Sequence, residues 1–284
     1  MRLICGPETC TFPEMEGALR VVLYGQAGAA DRGSAGDAVK SEIQRRRLVP
    51  AERAWDLLSI ALSVVTADFA GLRDRSPDGW TREFEIDIAV ADPAFWTSQA
   101  VALSGALGFL TTDRWTLHFQ DGGMLPAPPR NPVYPTEDCI ALLSGGLDSL
   151  IGVIDLAVAG RKPFVVSQTV RGDADKQVEF AGRIGGGLNH LQLNHNAHSP
   201  GVQESSQRGR SVVFMAFGVV AATSLQRYHQ GLPVPLYVCE KRIHRDQSAA
   251  DRGTSRKLEH PDCASRVPHP PAAHTRCGRS ASRY

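Results

Sequence analysis

The segment Cys139–Leu150, CIALLSGGLDSL, places the tightest constraint on the fold. Cys139–Leu143 is a short apolar run that reads as a buried strand. Leu147, Ile151, Ile154 and Val158 follow at helical spacing and form an apolar stripe closed by Gly160. Only Ser144, Gly145 and Gly146 stand between strand and helix. Two glycines let the backbone bend until successive N–H groups converge, and no Cβ blocks an approaching ligand. The helix N-terminus adds unpaired donors and about half a positive charge. Ser144 and Ser149 add hydroxyl donors. This is the chemistry of an anion site. Charge-assisted hydrogen bonds contribute about 1.5–3 kcal/mol each, so three or four hold a polyphosphate without a lysine. The loop contains no lysine, so it is neither the GxxxxGK[ST] phosphate loop nor GxGxxG.

The rest of this half continues in strand–loop–helix units, which favour a parallel sheet. Phe164–Gln168 is the next strand, followed by a helix from Asp175 to Ile184 and a strand at Leu191–Leu193. Ser211–Gln226 is a helix apolar nearly all round, hence buried, and Leu236–Cys239 is a fourth strand. Asp173, Asp175 and Lys176 follow the second strand, where open α/β sheets bind ligands. A plain solvated loop would look the same.

Upstream, Met124–Pro135 holds five prolines in twelve residues, which neither a helix nor a central strand tolerates. It reads as a linker, residues 124–135, dividing a module at 1–123 from one at 136–240. In the first module Ala18–Tyr24 reads as a strand, followed by a Gly/Ala/Asp-rich loop. Pro50–Ala70 carries Trp55, Leu58, Leu62, Val65 and Phe69 on one helical face. Phe84, Ile86, Ile88 and Val90 alternate with Glu85, Asp87 and Ala89, as in a half-buried strand. Asp92-Pro93 caps a helix lined by Trp96, Ala100, Leu103, Leu107 and Leu110, and Trp115, Leu117 and Phe119 alternate again. The expectation is a smaller α+β domain with no chemistry of its own, its tryptophans serving core or interface.

The chain has 284 residues and a net charge of +1, unevenly spread. Residues 241–284 hold ten Lys/Arg against four Asp/Glu, a local +6, so the first 240 residues carry −5. A mildly acidic body argues against direct nucleic-acid binding driven by bulk charge. The longest apolar run, Val212–Ala222, falls far short of the roughly 20 residues a bilayer requires, and MRLICGPETCTFPEM lacks the apolar core of a secretory signal. Six cysteines over this length make no disulfide framework, so a reducing cytoplasm is expected. Cys5 and Cys10 have a spacing that some metal sites use, but no second pair supports them.

SGGxDS on a strand-to-helix turn resembles the signature of the PP-loop ATP pyrophosphatases, which split ATP between its α- and β-phosphates. Within that superfamily the chain resembles the QueC-like group, the 7-cyano-7-deazaguanine synthases, and more closely the QatC-like proteins of the Qat anti-phage defence system. Gln177–Ile184 (QVEFAGRI) and Arg208-Gly209-Arg210-Ser211 before VVFMAFG extend the likeness, with Ser211 where QueC proteins have Asn. The resemblance implies a HUP-type (adenine nucleotide α-hydrolase-like) parallel sheet with helices on both faces. Ser144, Gly145, Gly146, Leu147, Asp148 and Ser149 would bind ATP, and Ser167 would lie near the adenine. Asp148 would also help to hold Mg²⁺, a hard cation suited to carboxylate and phosphate oxygens. Arg210 would meet the substrate or the charge on the α-phosphate. On physics alone it is equally a solvated helix-start arginine. A substrate oxygen would attack the α-phosphorus, pyrophosphate would leave, and nitrogen or sulfur would attack the adenylated carbon. The expected partners are ATP, an acceptor substrate and other Qat-system proteins. The alternatives are queuosine biosynthesis as a 7-cyano-7-deazaguanine synthase, or a non-catalytic ATP-sensing subunit.

QueC enzymes carry a zinc cluster of closely spaced cysteines, and this chain has no CxxC. His260-x-x-Cys263 and His274-x-x-Cys277 have the spacing of a His₂Cys₂ zinc site. The surrounding tail, 241–284, has lost all periodicity; it reads either as a native disordered basic tail or, the reading favoured, as a basic low-structure segment produced by a frameshift after Glu240. Codons can be chosen so that deleting one A restores a continuation of the strand Leu236–Cys239. In that reading the HxxC pairs are accidents. A sheet ending at Cys239 is then expected to leave an open edge and an uncovered Val212–Ala222 helix.

Overall fold

The structure, a computed structural model, describes residues 1–12, 15–169, 172, 174–205, 208–239 and 264–266. The first half is built on five strands: β1 (Arg2–Gly6), β2 (Leu19–Leu23), β3 (Gly33–Ala35), β4 (Glu83–Ala89) and β5 (Arg114–Gln120). Their order is β3-β2-β1-β4-β5, and every pairing is parallel. The expected α+β module is therefore an α/β one. Its helices are α1 (Asp37–Arg45), α2 (Glu52–Ala70) and α3 (Pro93–Thr111). Asp92 caps α3 as its sequence predicts, accepting from the Phe95 N–H at 3.1 Å, with Pro93 in the first turn.

The sheet of this half is covered by helices on one face. Leu3, Cys5, Val21, Leu23, Ile86 and Ile88 point into the main core. On the opposite face Ile4 and Ala89 are covered only by Cys10, Phe12 and neighbouring residues, while Arg2 pairs with Asp87 at 3.1 Å. One polar face explains the alternation along β4 and β5 that suggested an α+β arrangement. Parallel strands covered on both faces read instead as continuous apolar runs.

The second half contains β6 (Cys139–Leu142), β7 (Pro163–Gln168), β8 (His190–Leu193), β9 (Pro235–Val238) and β10 (Ala264–Arg266), in the order β10-β9-β6-β7-β8. β9, β6, β7 and β8 run parallel, and β10 lies antiparallel on β9. The edge expected to be open beyond Leu236–Cys239 thus carries a strand. On one face lie α4 (Leu147–Val158) and α5 (Ala174–Arg183), packed on Ala141, Leu143 and Val165. On the other lies α6 (Arg210–Ser224), against Ile140, Leu142, Phe164 and Val166; the short α7 (Gln226–His229) follows it. Gly218 lets α6 press onto the sheet, since a Cβ there would come within 2.8 Å of Leu236 Cδ1.

The expectation of an uncovered Val212–Ala222 helix fails for a definite reason: α2 covers it. The apolar side chains of α2 and α6 belong to one hydrophobic cluster that runs from the first sheet to the second. Wedged between sheet and helix, α2 is buried on all sides, and its polar residues are satisfied internally. Asp56 accepts from Ala91 N, Asp92 N and Trp96 Nε1 at 2.7–3.1 Å, and Ser59, Ser63 and Thr66 bond back to the preceding turn. Among the described residues, no helix is long and apolar enough to cross a membrane.

Candidate functional site

β6 is the central strand, flanked by β7 and β9 and buried along its whole length. Leu143 extends it, donating its N–H to Val166 O at 2.8 Å. The chain then turns through Gly145, whose φ of +94° favours glycine, and Gly146, which is extended and stands at the N-cap of α4. No side chain caps α4, so the N–H groups of its first turn are left for solvent or a ligand. A Cβ built on Gly146 meets only Ser144 Oγ, at 3.6 Å, so the space over the loop is open.

The two loop serines are joined. Ser144 Oγ and Ser149 Oγ lie 3.0 Å apart, Ser144 N donates to Ser149 Oγ, and Ser149 Oγ donates to Gly146 O at 2.8 Å. Ser149 is buried, and it ties the loop closed rather than pointing outward. Ser144, Gly146, Leu147 and Asp148 are exposed, so the groups open to a ligand are the first-turn backbone N–H groups and the Asp148 carboxylate, while the Ser144 hydroxyl donates to Ser149 Oγ and accepts from the Gly146 N–H at 3.4 Å.

Beneath the loop lies a residue that the sequence reading did not single out as functional. Gln177, fully buried in α5, donates from Nε2 to Ser144 O and to Gln168 O, both at 3.2 Å. Its Oε1 accepts from Gln192 Nε2 at 2.9 Å, and Gln192 also donates to Ala174 O at 3.0 Å. One carboxamide thus bridges the ends of β6 and β7. An uncharged residue at an inward helix position was the available clue. Gln168, also buried, has an Nε2 with no hydrogen-bond partner among the described residues. A buried donor without a partner costs about 1–3 kcal/mol, which a bound molecule or water relieves.

The other expected site residues are placed apart from the loop. Ser167 is fully buried and its hydroxyl lies 2.9 Å from His190 Nε2, so its side chain is engaged inside the fold. Burial, and then the charge of Arg46, push the His190 pKa down to about 4. Arg210 begins α6 on the opposite face of the sheet from α4, and its charge acts on His195, whose pKa burial chiefly lowers to about 4. Neighbouring Arg208 donates to Thr111 O and Thr112 Oγ1 in the first half. Asp175 and Lys176 are exposed in the first turn of α5, and Asp173 lies outside the described residues, as do His260, Cys263, His274 and Cys277.

The loop is an open cradle rather than a cavity. Two hollows of about 480 Å³ lie elsewhere, one between α4 and α5 and one between Trp55 and Pro126–Pro129. Among the described residues, no group of three or more His, Cys, Asp or Glu could hold a metal ion by itself. Asp148 could supply one oxygen ligand to a cation whose remaining ligands come from phosphate and water. No protein-family model matches the chain, and neither a curated protein nor a solved structure matches it significantly.

Proposed function

We propose that the chain is an Mg·ATP-dependent nucleotidyl-activating enzyme of the QueC-like PP-loop type. It would cleave ATP to AMP and pyrophosphate and adenylate a substrate oxygen for attack by nitrogen or sulfur, in a cytoplasmic anti-phage defence role. The observation that carries this reading is the uncapped N-terminus of α4 behind a two-glycine turn at the end of a buried central strand. Such a terminus favours a phosphate, and Gly146 leaves room for one to reach the backbone. The Gln168 amide at the neighbouring strand end, without a partner among the described residues, supports a ligand there. A bound Mg²⁺ would neutralise charge on the departing pyrophosphate. Asp148 would help to hold it, the loop N–H groups would fix the phosphates, and the rigid strand ends would keep them in line with the acceptor. Positioning and charge stabilisation are what this geometry offers.

The test is the bond cleaved. Turnover with candidate acceptors should release AMP and pyrophosphate, and Asp148→Ala should lower it at least tenfold while the circular dichroism spectrum is unchanged. ADP and orthophosphate as products would rule the mechanism out.

A further inference from the structure

β5 is an edge strand of the first sheet, and no described strand pairs with its outer side. Arg114 donates to Arg82 O at 2.8 Å and Gln120 O accepts from Val90 N at 2.9 Å, so the even-numbered residues of β5 bond to β4. In a parallel ladder the alternate residues turn their backbone outward, here the N–H and C=O groups of Trp115, Leu117 and Phe119. None of these six groups has a hydrogen-bond partner among the described residues. The usual guards of such an edge are missing too. β5 holds no proline or lysine, and its one permanent charge is Arg114, at the first residue. Beside it, α3 has no charged residue over its whole length and leaves Val101 and Phe109 87% and 92% exposed. An unpaired edge flanked by an apolar helix marks a contact surface.

We propose that β5 pairs antiparallel with β5 of a second copy of this chain, about a two-fold axis at Leu117, joining the two first sheets into one. The strand's own pattern selects this occupant. With Leu117 opposite Leu117, Trp115 falls opposite Phe119, and these pairs exchange hydrogen bonds that satisfy all six outward groups of each copy. On the solvent face Thr116 meets His118 and Arg114 meets Gln120, so no like charges are opposed. On the other face Trp115, Leu117 and Phe119 of the two copies continue one apolar surface beneath the two α3 helices. The chain's own segment 241–284 does not have this pattern. Its large apolar residues are Ile243, Leu258, Val267 and Tyr284, never closer than nine positions apart, so it offers no alternating strand to lay beside β5. Its longest stretch without a charge, residues 267–275, contains three prolines. The piece of it that is described, β10, pairs with β9 in the other sheet.

The test is made on the full-length chain, which should sediment as a dimer at micromolar concentration. Thr116→Lys with His118→Lys sets lysine against lysine across the axis on the solvent face and should weaken the dimer about tenfold. Thr116→Lys with His118→Glu should keep it, a difference that loss of folding does not produce. Thiols read the register. Thr116→Cys chains mixed with His118→Cys chains should form a disulfide between residues 116 and 118 on mild oxidation, identified by peptide mass spectrometry. Either variant alone should not, because like positions lie diagonally across the axis, beyond the reach of a disulfide. A monomer overturns the proposal, whether the edge is left free or is covered by residues 241–284. So does a dimer that the double lysine variant leaves intact, or one in which residues 116 and 118 do not cross-link.

Discussion

The backbone N–H of Gly209 donates to Asp68 Oδ2 at 2.8 Å, tying the start of α6 to the end of α2. The other oxygen of Asp68 receives Arg82 at 2.5 Å, and Arg82 also grips Asp113, which in turn holds Arg73. All four side chains are buried, in a network made by the first half that fixes the first turn of a second-half helix. Removing one member leaves the others charged without water. Asp68→Ala is therefore expected to destabilise the protein by about 3–5 kcal/mol in urea unfolding. A loss below about 1 kcal/mol would mean that the network carries no such role.

The two loop glycines should separate on substitution. Gly145 sits at φ +94°, so Gly145→Val strains the turn and should lower both stability and ATP affinity. Gly146 has room for a Cβ in the free protein, so Gly146→Val should leave the melting temperature nearly unchanged and abolish ATP binding by obstructing the phosphate. Unaltered ATP affinity in a folded Gly146→Val protein, measured by calorimetry, would sink the phosphate-loop reading.

Gln177 offers a test of how the loop is held. Gln177→Leu takes the Gln177 donor from Ser144 O and Gln168 O and one of two acceptors from Gln192 Nε2, which keeps Ala174 O, at a cost of about 1–3 kcal/mol in stability. ATP affinity should fall about tenfold through the displaced strand end. Gln177→Glu keeps the shape but removes the donor, so it should resemble the leucine variant. Wild-type affinity in both would show that the bridge does not position the loop.

Acid should unfold the protein through two histidines. His190 and His195 have folded pKa values near 4 against 6.5 in the unfolded chain, so the unfolded state binds more protons between those limits. Their contribution is complete above pH 6.5 and drains away as pH falls towards 4. With both partly solvated, the combined loss is on the order of 2 kcal/mol. The melting temperature of a His190→Gln, His195→Gln protein should fall less steeply over that window than wild type. Parallel profiles would assign the acid sensitivity to other groups.

The elements with strong local patterns were legible in the sequence. Asp92-Pro93 marked the start of α3, alternation gave β4 and β5, and the loop with β6 and α4 emerged together. β1 escaped because its apolar run is only Leu3–Cys5 before Gly6-Pro7 breaks it, and β3 because Gly33-Ser34-Ala35 has no strand preference. β3 exists through its pairing with β2. α1 was hidden by polar residues, since only Val39 and Ile43 of its nine are buried. The site divided in the same way. Glycines and a helix start can be read locally, but which face Ser167 takes, and that Gln177 spans two strand ends, depend on neighbours distant in sequence.

The fusion of α2 and α6 in one hydrophobic interior removes the cleavage point that the prolines at 126–135 advertise. A gene fragment encoding only residues 136–239 would present the apolar flank of α6 to water and should yield insoluble protein. Recombination at the linker therefore cannot graft the phosphate loop onto a new neighbour, and the two sheets must be inherited, expressed and degraded as one piece.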